Sequence, residues 1–221
     1  MATGAGMARQ RRYGAVRQLV HFLLALCLAS PGLAARPAPL IWAFGDSLTA
    51  GYGLPPAQGF TTQLQAALRQ AGVAATVRNG GISGDTAAQA RARLLWGLRG
   101  LGAAPDLVIV ELGANDMLRG LPPEAAAANL DAIVAELKRR RIPTLIAGMK
   151  AAPNLGSAYR RSFDAIYPRL SHTYGVRLYP FFLQGVAGRR ALLQADGLHP
   201  SAAGVTIIVR SILPSVLSSL R

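Results

Sequence analysis

The sequence predicts an α/β protein, a doubly wound three-layer α/β/α sandwich built on a parallel sheet. Three observations predict it. Short apolar runs alternate with longer stretches of helical periodicity from Leu40 onward. The stretches between successive apolar runs are long enough to hold the crossover helix that parallel strands require. Finally, 221 residues with 51% hydrophobic content suit one domain with a substantial core, and no repeat or linker marks a second.

The first strand is expected over residues 40–44, broken sharply by Gly45. A helix follows over 60–71 and stops before Gly72, and a second strand covers 74–78. The next helix spans 86–98, with Asp85 as its expected N-cap. Leu107-Val108-Ile109-Val110-Glu111-Leu112 is the clearest strand, introduced by Pro105-Asp106. Residues 123–140 form a long amphipathic helix with proline near its start and a basic end, as the helix dipole favours. Strand four covers 144–148, a helix 158–174, and a short fifth strand 177–179. Residues 201–220 close the chain as a helix kinked by Pro214. Right-handed crossovers then bring Ser47, the 80–86 turn and the 113–116 turn, each following a strand, to one rim of the sheet.

The formal charge of +14 raises the question of nucleic acid. The arginines are scattered, however, and no basic stripe interleaves with aromatics, so no nucleic-acid partner is expected. A basic surface leaves room for weak association with anionic membranes. Residues 1–34 read as a cleaved signal peptide, and 35–221 as the single mature domain. Arg9, Arg11, Arg12 and Arg17 make a positive start, residues 19–28 an apolar core, and Gly32-Leu33-Ala34 a small-residue cleavage site. That implies export to a bacterial periplasm or beyond. Cys27, the only cysteine, falls inside this leader, so the mature chain has neither a disulfide frame nor a thiolate metal site.

Phe44-Gly45-Asp46-Ser47-Leu48-Thr49 places a serine at a strand's carboxyl end, where open α/β sheets bind ligands. Ser47 is therefore a candidate nucleophile, although Gly-Asp-Ser is also an ordinary turn. A base would be one of three histidines. His21 lies in the leader, and His172 in an expected helix, as a surface or packing residue. His199 remains, in Asp196-Gly197-Leu198-His199-Pro200, where Asp196 is close enough in sequence to orient the imidazole. Read alone, Asp196-Gly197 is equally a turn and His199 equally a helix cap. Gly84, in Gly80-Gly81-Ile82-Ser83-Gly84-Asp85-Thr86, offers a backbone N–H beside open space, and Asn115 offers a side-chain amide. Asp46, Asp85 and Asp116 read as loop braces, and Glu111 as a strand-end carboxylate without a derived role. Met117, Leu118, Leu121, Pro153 and Asn154 suggest an acyl groove, the alternative being that they pack the loops together.

Together these stretches resemble the GDSL esterases, or SGNH hydrolases. Ser47, Gly84, Asn115 and His199 correspond to the four letters of the second name, and Asp196 completes the triad. The resemblance runs from Leu40 to Pro200 and is nearest the bacterial thioesterase I, lysophospholipase and arylesterase branch. It is carried also by Val110-Glu111-Leu112-Gly113, Leu118-Arg119-Gly120, Ala165-Ile166-Tyr167-Pro168 and Pro180-Phe181-Phe182. Ala114 departs from the glycine that often precedes the asparagine in these relatives. The resemblance implies a flavodoxin-like five-stranded parallel sheet in the order 2-1-3-4-5, no metal and no cofactor. It also implies action on aryl esters, lysophospholipids or acyl thioesters through Ser47, Asp196 and His199, and a monomer is the expected state. Ser47, Gly84 and Asn115 would then line the oxyanion hole. A carbohydrate deacetylase of the same family and a non-catalytic acyl-lipid-binding protein are the rival readings.

Overall fold

The computed structural model describes residues 38–220. The expected leader, with Cys27 and His21, lies outside them. Five parallel strands form one sheet: β1 (Leu40–Gly45), β2 (Thr76–Gly81), β3 (Leu107–Glu111), β4 (Thr144–Ala147) and β5 (Arg177–Tyr179). Their order is β2-β1-β3-β4-β5, as the resemblance implies. Strands β1 and β3 pair at the centre, from Ile41 with Leu107 to Gly45 with Glu111, and β3 is buried along its whole length. Continuous apolar runs, rather than alternating ones, are what strands covered on both faces require.

Eight α-helices occupy the described residues: α1 (Ser47–Ala50), α2 (Phe60–Gln70), α3 (Ala87–Gly100), α4 (Ala114–Leu118), α5 (Pro123–Arg139), α6 (Ser157–Asp164), α7 (Ile166–Tyr174) and α8 (Ala202–Ser219). Helix α2 packs with α8, while α3 packs with α5 and α5 with α6 and α7. With right-handed crossovers these sets cover opposite faces of the sheet, giving the three layers.

Four expectations need correction. Strand β2 starts two residues later and ends three residues later than its apolar pattern suggests, running through Gly80 and Gly81. As the edge strand it is fixed by pairing to β1 rather than by burial, and a Cβ at Gly80 would collide with the Trp42 ring. Helix α3 is capped by Thr86, not Asp85. Gln89 sits three residues on and completes a capping box, so Asp85 is free to pair with Arg93. The single helix expected over 158–174 is two, α6 and α7, which meet at Ala165. Pro168 has no N–H to give the Asp164 carbonyl, and the helical ladder breaks there. Lastly, the loops after β1 and β3 hold the short helices α1 and α4, too brief to show periodicity. Helix α8 continues through Pro214.

Candidate active site

The loops at the carboxyl ends of β1, β2 and β3 meet the loop that precedes α8. Ser47 opens α1, where Asp46 caps the helix by accepting the Leu48 N–H at 3.0 Å. His199 Nε2 lies 2.9 Å from Ser47 Oγ, and His199 Nδ1 lies 2.7 Å from Asp196 Oδ2. Ser47, His199 and Asp196 thus form one hydrogen-bonded chain across 152 residues of sequence. The other Asp196 oxygen accepts the N–H groups of Leu198 and His199, at 2.9 and 3.0 Å. These bonds to the charged form hold the Asp196 carboxyl down at about 2, with the His199 ring contributing. Asp196 is therefore ionised at neutral pH and fixes Nδ1 as the protonated ring nitrogen. Nε2 is then the acceptor facing the serine hydroxyl.

Gly84 and Asn115 lie on the same rim, following β2 and β3. Neither the Ser47 nor the Gly84 N–H donates to another group among the described residues. The Asn115 amide nitrogen donates to Asp46 Oδ2 at 3.1 Å and to the Asp85 carbonyl at 3.0 Å. Both of its hydrogens are therefore engaged, and a third acceptor at this nitrogen must replace one of these two.

Beneath the serine turn lies a buried pair of acids. Glu111 is fully buried at the end of β3, and its Oε2 accepts the Thr49 hydroxyl at 2.7 Å while Oε1 has no partner. Gly45 permits this packing, since a Cβ there would sit 2.7 Å from both the Glu111 carbonyl and its carboxyl oxygen. Burial pushes the Glu111 carboxyl well above the carboxylate range, and the neighbouring Asp46 adds to the rise. Burial likewise pushes Asp46 up from 3.8 to about 6, against its bonds to Leu48 and Asn115. Both acids hold protons more tightly in the folded chain than in the unfolded one. Asp46 therefore makes stability fall as pH rises from about 3.8 through about 6, and Glu111 adds to the fall from about 4.5 upward. Asp196 acts in the opposite sense, but the stability it contributes is lost only as pH falls below 3.8 toward about 2. Urea unfolding across this range should give a shallower pH slope for Glu111→Gln than for wild type. Superimposable slopes would contradict this account of the pair.

Several residues that hold the site carry no local signature in sequence. Gln194 Nε2 donates to the Tyr52 carbonyl at 2.7 Å and to the Pro200 carbonyl at 3.0 Å, tying the histidine loop to the serine loop. The Tyr52 ring stands against the His199 ring, with centroids 4.6 Å apart. Arg93 pairs with Asp85, donates to the Gly80 and Gly45 carbonyls at 2.9 Å each, and lies over the Phe44 ring. Arg119 donates to the Gly84 carbonyl at 2.6 Å. Of the residues expected to line a groove, Met117 also joins two loops, its sulfur accepting the Ala152 N–H at 3.2 Å. Leu118, Leu121, Pro153 and Asn154 are exposed. The Tyr159 hydroxyl anchors this wall by donating to the Leu121 carbonyl at 2.9 Å.

Comparison with known proteins gives consistent relatives. Residues 43–207 match the model of the GDSL-like lipase/acylhydrolase family. An arylesterase of Vibrio mimicus is 38% identical over 183 residues, covering 83% of this chain and 89% of that protein. The thioesterase 1/protease 1/lysophospholipase L1 of Escherichia coli K12 is 35% identical over 167 residues, covering 76% and 78% respectively. The crystal structure of AlinE4, an SGNH-hydrolase family esterase, superposes with a TM-score of 0.71 at 47% identity. It covers 83% of this chain and 97% of that one.

Proposed function

The chain belongs to the GDSL-like lipase/acylhydrolase family and is a carboxylic ester hydrolase, and we propose that it works through a covalent acyl-Ser47 intermediate. The observation that carries this reading is the unbroken chain from Ser47 Oγ through His199 to Asp196. As Ser47 Oγ attacks the ester carbonyl, its proton passes to His199 Nε2, and the new imidazolium is balanced by Asp196. The oxyanion is held by the Ser47 and Gly84 N–H groups and by the Asn115 amide, which exchanges the Asp85 carbonyl for the substrate oxygen. The intermediate collapses, the carbon–oxygen bond to the leaving group breaks, and His199 returns the proton to that group. Water, deprotonated by His199, then attacks the acyl-serine and releases the acid.

Aryl esters, lysophospholipids and acyl thioesters are the substrates this reading assigns. The names of the Vibrio and Escherichia relatives and the exposed apolar wall of Leu118 and Leu121 support it. Hydrolysis of p-nitrophenyl acetate, butyrate, octanoate and palmitate tests it. Octanoate should exceed acetate in kcat/KM. Cleavage confined to acetate would favour a deacetylase, and no turnover by folded protein would favour an acyl-lipid-binding role. We propose further that residues 1–34 direct export and are removed, which an N-terminus at Met1 in purified protein would refute.

A further inference from the structure

Seven large hydrophobic side chains are exposed among the described residues: Tyr52, Ile82, Leu95, Trp96, Leu118, Leu121 and Leu198. Leu95 and Trp96 lie on α3. The other five follow strands β1, β2, β3 and β5, on the loops and the short helix α4 at the carboxyl edge of the sheet, where Ser47 and His199 lie. Ile82 and Leu198, 45% and 53% exposed, come from loops far apart in sequence, yet both lie beside the site. The Ile82 N–H bonds the Gly45 carbonyl, and Leu198 immediately precedes His199. Apolar side chains gathered on one rim mark an interaction surface, whereas the same residues scattered singly would need no explanation.

The charge on this rim identifies the partner. Arg119, Lys150, Arg189 and Arg190 are exposed on its loops and pair with no carboxylate among the described residues. Asp46, Asp85, Glu111 and Asp116 are buried, and Asp196, though exposed, is committed to His199. Glu124, in the first turn of α5, is the other exposed acid beside them. Apolar tips ringed by unpaired cations match an anionic lipid surface, which offers hydrocarbon below its phosphates. A protein seated on this rim would cover the serine, whereas a lipid surface presents acyl esters to it.

We propose that the rim of Tyr52, Ile82, Leu118, Leu121 and Leu198, with its surrounding cations, docks the active-site face onto anionic phospholipid membranes. Docking rests on the proposed reading only for its purpose, because binding is measured without turnover. The test is co-sedimentation of the purified chain with vesicles of phosphatidylcholine alone or mixed with phosphatidylglycerol. The comparison is the single variant Ile82→Ser carrying the same N-terminus. Wild type should partition onto the mixed vesicles, less so at high salt. The variant should bind about tenfold more weakly, while hydrolysing soluble p-nitrophenyl butyrate at the wild-type rate. Equal retention of variant and wild type would overturn the proposal by assigning any binding to the cationic surface or the N-terminal segment. Absence of wild-type binding would also overturn it. Binding that follows the prediction in a chain without ester turnover would uphold the docking surface and remove the esterase mechanism.

Discussion

Ser47→Ala is expected to lower kcat/KM for p-nitrophenyl butyrate by about 10⁴–10⁶-fold while leaving the fold intact. The hydroxyl lies 2.9 Å from the His199 ring, and the reaction as drawn has no other nucleophile. The position itself tolerates the change. Ser47 is the first residue of α1, and the capping bond there comes from the Asp46 side chain rather than from Ser47. Urea midpoints for the two proteins should therefore agree, with ΔΔG within about 0.5 kcal/mol. A folded variant retaining wild-type turnover would remove Ser47 from the chemistry.

Asp196→Asn should cost about 10⁴-fold in kcat, although it changes one atom. Asparagine still supplies an oxygen to accept the Leu198 and His199 N–H groups, so the turn stays closed. Its amide nitrogen, however, would face His199 Nδ1 where a carboxylate oxygen now lies at 2.7 Å. A donor there makes Nδ1 the acceptor and puts the ring proton on Nε2, the nitrogen that must accept from Ser47. The imidazolium also loses its counter-charge. The signature is a fall in kcat with KM little changed and the unfolding midpoint preserved. Activity within threefold to fivefold of wild type (on the order of 1 kcal/mol) would mean that the exposed Asp196 only shapes the turn.

The central sheet and the serine–histidine–aspartate chain were legible in sequence for different physical reasons. Strands β1 and β3 are covered on both faces, so their burial is written as unbroken apolar runs around Phe44 and Val110. The gathering of the candidate site was legible because Ser47, Gly84 and Asn115 follow strands β1, β2 and β3 and His199 shortly precedes the last helix, positions that topology sends to one rim. Features set by distant contacts were not legible. Gln194 is 142 residues from the Tyr52 carbonyl it bonds, and Arg93 is 48 from Gly45. Nothing near either residue announces those partners. Glu111 looked idle because its role is to pack against Gly45 and Thr49, contacts that exist only once β1 and β3 pair. Asp85 misled as a cap because Thr86 and Gln89 form the box one residue later.

Exposure of the purified chain to an ethyl p-nitrophenyl phosphonate, followed by peptide mass mapping, tests the acyl-enzyme mechanism most directly. The reagent forms a phosphonyl ester with an activated serine oxygen and releases p-nitrophenol. The account predicts one adduct per chain, on Ser47, with ester hydrolysis lost in proportion to labelling and no adduct in His199→Ala. Labelling of a different serine in step with loss of activity, or full hydrolysis by a chain already modified at Ser47, would contradict it.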